Sequence, residues 1–247
     1  MAVWEKPADP SVYGSMDVDM TKLLELANKK LTLTPFLVKG VAMTLAKFPQ
    51  LNVLIRRNRI FVRDHVDIFV QVFSKEGEHP DLSGAKIRDA HQKTLTQIAE
   101  EITKQSEKIR SGDDPNLKQA KKMHGFLTPR LLKGSIRFLG WLGYELNISP
   151  RFLKLPPDPF GAAMISNVGM FGLKTGFAPL VPFSRTPMVL LAGEITKQPV
   201  VENDQIVIKP ILTIGVTIDH RIIDGYLGGL AGGYLKKLLE EPELMTR

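Results

Sequence analysis

Strand-like and helix-like segments alternate along the whole of this 247-residue chain, with no internal repeat and no flexible linker between them. Two-residue alternation predicts strands at Val12–Val18, Val66–Phe73, Ala162–Val168 and Met188–Ile195. It also predicts two hairpins. One pairs Val53–Ile55 with Ile60–Val62 around a basic tip, Arg56-Arg57-Asn58-Arg59; the other pairs Pro199–Glu202 with Ile206–Asp219 around Asn203-Asp204. Helical periodicity predicts helices over Met20–Lys30, from Pro35 (with Thr34 as its N-cap) to a stop before Pro49, over Gln92–Arg110, and over Leu227–Glu240. Elements mixed in this way predict one α/β or α+β domain, a mixed sheet with flanking helices.

Two strands carry further information. Val66, Ile68, Val70 and Val72 form one apolar face of their strand, and Phe69 and Phe73 make the other face aromatic, which predicts cover on both sides. Glu76-Gly77-Glu78-His79-Pro80 then reads as a polar break.

The net charge of +7 is local. Between Leu117 and Lys154 stand eight basic residues and one acid, Glu145, so this window carries the whole excess. From Pro129 to Leu146 it reads as an amphipathic helix, with Leu132, Ile136, Leu139 and Leu146 in an apolar stripe and Arg130, Lys133 and Arg137 on another face. Such concentration argues against general nucleic-acid binding, which spreads or stripes its charge. It points instead to a local anionic partner, such as a phosphorylated cofactor or a membrane surface met by the 129–146 helix. There are no cysteines, which excludes disulfides, a thiolate nucleophile and Cys-ligated zinc. The first residues show no apolar signal region and no stretch reaches about 18 apolar residues, so a cytoplasmic protein is expected.

Chemistry concentrates in Thr217-Ile218-Asp219-His220-Arg221-Ile222-Ile223-Asp224-Gly225. An apolar strand runs into a histidine flanked by acids and an arginine, and glycine opens the next helix. A strand end holds an imidazole rigidly while leaving its edge accessible, and a free imidazole titrates near pH 6.5, within reach of general-base work at neutral pH. Arg221 and Asp224, three apart, are spaced to pair and brace the loop. A strand-end histidine satisfied by local hydrogen bonds fits the same spacing. The second segment is Ile165-Ser166-Asn167-Val168-Gly169-Met170-Phe171-Gly172. Here Ser166 is spaced to donate to an oxyanion, to act as a nucleophile without the Gly-x-Ser-x-Gly elbow, or merely to cap a turn. Gly228-Gly229 and Gly232-Gly233 read as small residues that let a helix pack closely. His65, His79, His91 and His124 show no metal-site spacing.

Asp219-His220-Arg221-x-x-Asp224-Gly225 resembles the Asp-His-Arg-x-x-Asp-Gly signature of the dihydrolipoamide acyltransferase family, whose His-x-x-x-Asp core chloramphenicol acetyltransferases share. The serine segment, Phe177-Ala178-Pro179-Leu180-Val181, Pro187 to Gly193, and Glu240 to Leu244 resemble the family in order and character. Asp17-Val18-Asp19-Met20-Thr21 and Pro49-Gln50-Leu51-Asn52 extend the likeness to the first half. The resemblance implies a two-layer sandwich of chloramphenicol acetyltransferase type and an acyltransferase moving an acyl group between coenzyme A and a dihydrolipoamide-like thiol or another nucleophile. It implies His220 as base, Ser166 as oxyanion donor, Asp224 in the catalytic set as the partner of Arg221, and Arg221 and Asp219 as loop braces. Asn167, Gly169 and Gly225 would line the substrate site.

No permanently bound cofactor and no metal are expected; the coenzyme A thioester is a substrate. The family also implies a homotrimer with the site between subunits, and possibly a larger cage. Three departures stand beside it. Lipoyl and peripheral-subunit-binding domains do not precede the motifs, which predicts a standalone catalytic domain over 1–247. The segment around 113–160 is longer than the family's. Lys75–Pro80 replaces a Gly-Leu-x-x-Pro-Val pattern of the substrate pocket. A non-catalytic trimeric or cage-forming scaffold and a membrane-surface acyltransferase are the alternatives.

Overall fold

The computed structural model describes residues 9–27, 31–76, 79–111 and 158–246, together with Gly134. The basic window and the predicted helix over 129–146 lie, but for Gly134, outside the described residues.

Among the described residues, eight strands and four α-helices make two layers. The elements are β1 (Ser11–Asp19), α1 (Thr21–Leu26), α2 (Leu33–Lys47), β2 (Val53–Arg56), β3 (Arg59–Val62), β4 (Ile68–Glu76), β5 (His79–Ile87), α3 (Leu95–Arg110), β6 (Ala163–Asn167), β7 (Met188–Glu202), β8 (Gln205–Asp219) and α4 (Gly225–Glu240). Six strands form one sheet in the order β1-β8-β7-β6-β4-β5, parallel between β4, β6 and β7 and antiparallel elsewhere; β2 and β3 form a separate hairpin. Arg57 and Asn58 at its tip both take positive φ, as does the pair Asn203-Asp204 between β7 and β8. Two left-handed residues in a two-residue loop match the twist of paired strands.

Alternation sorts the side chains onto two faces. Ile68, Val70, Ile165, Leu190, Leu212 and Ile214 pack under Phe36, Leu37, Val41 and Leu45 of α2, Ile98 of α3 and Leu235 and Leu239 of α4. The other face holds a smaller cluster of Met164, Val189 and Leu191, covered by Val168, Ala178 and Leu180. β4 is covered on both sides, as its aromatic second face predicts: Phe69 meets Phe160 at 5.1 Å and Phe73 meets Phe171 at 5.5 Å between ring centroids.

Several boundaries differ from expectation for local reasons. The helix expected from Pro35 begins at Leu33, after Thr32, so Thr34 is helical rather than a cap. Pro35 still falls in the first turn, where its missing N–H has no helical partner to lose. The helix expected from Gln92 begins at Leu95, behind a capping box in which Thr94 Oγ1 accepts from Gln97 N and the Gln97 side chain accepts from Thr94 N. The polar break after Phe73 is the turn of a hairpin, and β5 beyond it was not expected. β5 is an edge strand whose sequence, His79 to Ile87, carries little hydrophobic alternation to betray it; of its residues with described burial, Ala85 and Ile87 join the main core.

The glycines of α4 do not serve close packing against the described residues. A Cβ built at Gly229, Gly232 or Gly233 meets no described atom within 4 Å, and one at Gly228 makes only ordinary contact, 3.6 Å from Ile223. Each glycine in a helix interior is about 0.8–1.0 kcal/mol less favourable than alanine, so the helix bears this cost without a packing return inside the subunit.

Glycine is required elsewhere. β7 shifts register between Ala192 and Ile195, and there the segment after β6 lies backbone to backbone on it: Val168 N donates to Ala192 O (2.9 Å) and Glu194 N to Leu173 O (2.8 Å). A Cβ on Gly193 would strike the Lys174 carbonyl, and one on Gly169 the Gly193 carbonyl. Gly193→Ala is therefore expected to destabilise the chain by about 1–3 kcal/mol, measured by urea denaturation, whereas Gly229→Ala should raise stability.

Candidate active site

β8 ends between two neighbours that pin its last residues. Asp219 N donates to Pro187 O (2.8 Å) at the start of β7, and His220 N donates to Pro10 O (3.0 Å) just before β1. The chain then turns at once, with Ile222 N and Ile223 N both donating to Asp219 O at 3.0 Å. His220 is thus an exposed residue on a backbone held at three successive points.

The Asp219 carboxylate organises this turn. It is 6% exposed and accepts from Arg221 N (3.0 Å), Arg221 Nε (2.9 Å) and Arg221 Nη2 (2.5 Å). Nε and Nη2 grip its two oxygens as a fork, the geometry that a planar guanidinium offers a carboxylate. The hydrogen bond to Asp219 is the largest cause raising the Arg221 pKa above its ordinary value, so the guanidinium stays charged. This corrects the expected Arg221–Asp224 pair. Asp219 is nearer along the chain and its buried carboxylate needs a cation and donors, whereas Asp224 has another partner: its Oδ1 accepts from Leu227 N (2.8 Å) as the N-cap of α4, with Gly225 opening the helix. The acid sits at the positive end of the helix dipole, which favours its charge.

Ser166 and Asn167 end β6 and are half-buried. By alternation with Met164, Ser166 belongs to the face away from the helices. Gly169, in the turn that follows, lets that turn approach β7. Register separates this group from the histidine. Ser166 pairs with Leu191, Leu191 pairs with Gly215, and His220 lies five residues further along β8. Two strand spacings and five residues of rise put Ser166 and His220 roughly 20 Å apart within one chain. Ser166 and His220 of the same subunit therefore do not meet. The loop-bracing residues come together as a unit with His220; Ser166, Asn167 and Gly169 form a second group elsewhere on the sheet. The carbonyls of Pro10 and Pro187, which fix the loop, carried no signal, because backbone acceptors are invisible in a residue pattern. Among the described residues, no cluster of three or more His, Cys, Asp or Glu could hold a metal ion, and no helix is long and apolar enough to cross a membrane.

The family model for the 2-oxoacid dehydrogenases acyltransferase (catalytic domain) matches residues 6–121 and 159–247. The chain belongs to this family. Its model leaves out 122–158, most of the basic window. The chain is 26% identical over 251 residues to the dihydrolipoyllysine-residue acetyltransferase component of the pyruvate dehydrogenase complex of Rickettsia felis, covering 97% of this chain and 50% of that protein. It is 24% identical to the lipoamide acyltransferase component of the branched-chain alpha-keto acid dehydrogenase complex of Bacillus subtilis, covering 96% and 48%. This acyltransferase-family chain thus spans about half the length of the curated relatives it matches. The fold is that of the probable dihydrolipoamide acetyltransferase of Listeria monocytogenes, with TM-score 0.68, 22% identity, and cover of 94% of this chain and 85% of that one.

Within this family member, the loop chemistry is separable from the fold by mutation. Asp219→Ala leaves a guanidinium and a backbone N–H without their acceptor and should cost about 1–3 kcal/mol. Arg221→Ala leaves the buried Asp219 carboxylate without its cation and two of its three donors and should cost more, about 3 kcal/mol. Chemical denaturation of both variants checks the order.

Proposed function

We propose that the chain transfers an acyl group between coenzyme A and the thiol of a dihydrolipoyl-type acceptor, with His220 as general base and Ser166 of a neighbouring subunit as oxyanion donor. The observation that carries this reading is the build of the 219–225 loop. A fork-held Asp219, a helix-capping Asp224 and two strand carbonyls hold an exposed histidine rigidly, in a member of an acyltransferase catalytic family. A merely structural histidine would not need its edge exposed.

The chemistry follows from these groups. The imidazole takes the thiol proton, and the sulfur attacks the thioester carbonyl carbon. The Ser166 hydroxyl donates to the oxygen that becomes negative, a contribution of several kcal/mol in a dry site. Collapse breaks the carbon–sulfur bond to the leaving thiolate, which recovers the proton from the imidazolium. No acyl-enzyme forms, and holding both substrates in one place supplies much of the rate. Asp219 and Arg221 act through His220 and are positioning residues. Asn167, Gly169 and Gly225 border the substrates. The Azotobacter vinelandii dihydrolipoamide acetyltransferase has been studied for the roles of a serine, a histidine and an asparagine four residues after it in its catalytic mechanism. Here the same four-residue spacing ends on Asp224, whose carboxylate is engaged at the helix N-cap.

The reading requires assembly, because the roughly 20 Å within one chain must be closed by a second copy. A homotrimer meets that need. A cubic core is recorded for a pyruvate dehydrogenase complex whose chain shares the fold, with TM-score 0.69, so a larger cage is part of the proposal.

Two measurements test it. Thiol release from acyl-coenzyme A donors with dihydrolipoamide as acceptor should appear in the wild type and fall at least about 100-fold in His220→Ala; no turnover from a well-folded assembly would favour the scaffold alternative. Light scattering should give a mass of three chains or a multiple of three, and a monomer would remove the shared site.

A further inference from the structure

A cavity of about 410 Å3 lies between β1, β8, α2 and α4. Its walls are mostly apolar: Met16, Leu45, Val216, Ile218 and Ile223 supply side chains, while on the α4 side glycines stand beside Leu235 and Lys236. Asp224 and Gly225 border one end, four and five residues after His220, and Ile218 lies two residues before it. The cavity therefore adjoins the catalytic loop on both sides of the histidine in sequence. Lining glycines with open space over Gly229, Gly232 and Gly233 leave it unfilled by the described side chains.

We propose that this cavity binds the aliphatic chain of a medium-length acyl thioester, with the thioester at the Asp224–Gly225 end. The assignment rests on the acyl-transfer reading and names its substrate class. Walls that are mostly apolar, with Asp224 and Lys236 as the charged residues of the lining, suit hydrocarbon better than a polar acceptor. A dry cavity of about 150 Å3 holds benzene, so this one has room for a chain on the order of ten carbons. The coenzyme A portion, being polar, stays outside, towards the loop.

The test is equilibrium binding of acetyl-, hexanoyl- and decanoyl-coenzyme A by calorimetry to the full chain, to Gly229→Leu and to Gly232→Ala. In the wild type, affinity should rise about four-fold for each methylene buried. Gly229→Leu places a side chain in the cavity and should flatten that series, lowering the decanoyl-to-acetyl affinity ratio by at least about 30-fold. Gly232→Ala adds helix propensity and little volume, and should retain the slope. A flat wild-type series, a slope unchanged by Gly229→Leu, or loss of the slope in Gly232→Ala as well would each overturn the assignment. So would self-association that Gly229→Leu abolishes together with a flat wild-type series, since the groove would then seat a second copy. Turnover of acetyl-coenzyme A separates the two proposals. Turnover with a flat series sinks the cavity assignment alone, whereas a slope lost in Gly229→Leu with no turnover of any donor sinks acyl transfer and leaves the cavity a chain-binding site.

Discussion

The pairing of β8 on both of its edges is the constraint from which the site follows. β1 runs antiparallel along its second half and β7 along nearly its whole length. A strand bonded on both sides cannot slip by one residue without turning its core face outward. Its last residues are thereby delivered to one place, against Pro10 and Pro187. The loop that begins there inherits that rigidity, and the N-cap of α4 fixes its far end.

Electrostatics then divide the two acids of the loop by their surroundings. Asp219 is buried and surrounds its charge with three donors from Arg221; Asp224 is exposed and spends its charge on the first turn of α4. Both bonds are short-range and local, yet between them they fix where the strand stops and where the helix starts. The consequence is an exposed histidine whose backbone has little freedom.

The opposite economy governs the serine group. Glycines at 169 and 193 let two backbones touch, which fixes the turn after Ser166 by close approach rather than by side-chain bonds. In α4 glycine does the reverse, giving up helix propensity and leaving space. One residue type thus closes a gap at one place and keeps one open at another, and only the neighbouring atoms distinguish the cases.

Most strands and helices and the residues of the histidine loop were legible in the residue order, because hydrophobic period and turn chemistry are local properties; the two-layer sandwich was legible only through the family resemblance. Asn203-Asp204 as a tight turn belongs to the same class, whereas the N-cap role of Asp224 emerged only from the structure. β5 was not legible, since an edge strand reading His-Pro-Asp-Leu-Ser-Gly-Ala-Lys-Ile has little hydrophobic period to read. The partner of Arg221 was not legible either: Asp219 and Asp224 both lie within reach along the chain, and burial chose between them. Tertiary structure alone decided that Ser166 and His220 of one chain lie two strands and five residues apart, and that the α4 glycines border a cavity. Both depend on which strands become neighbours, a long-range outcome that no spacing along the chain encodes.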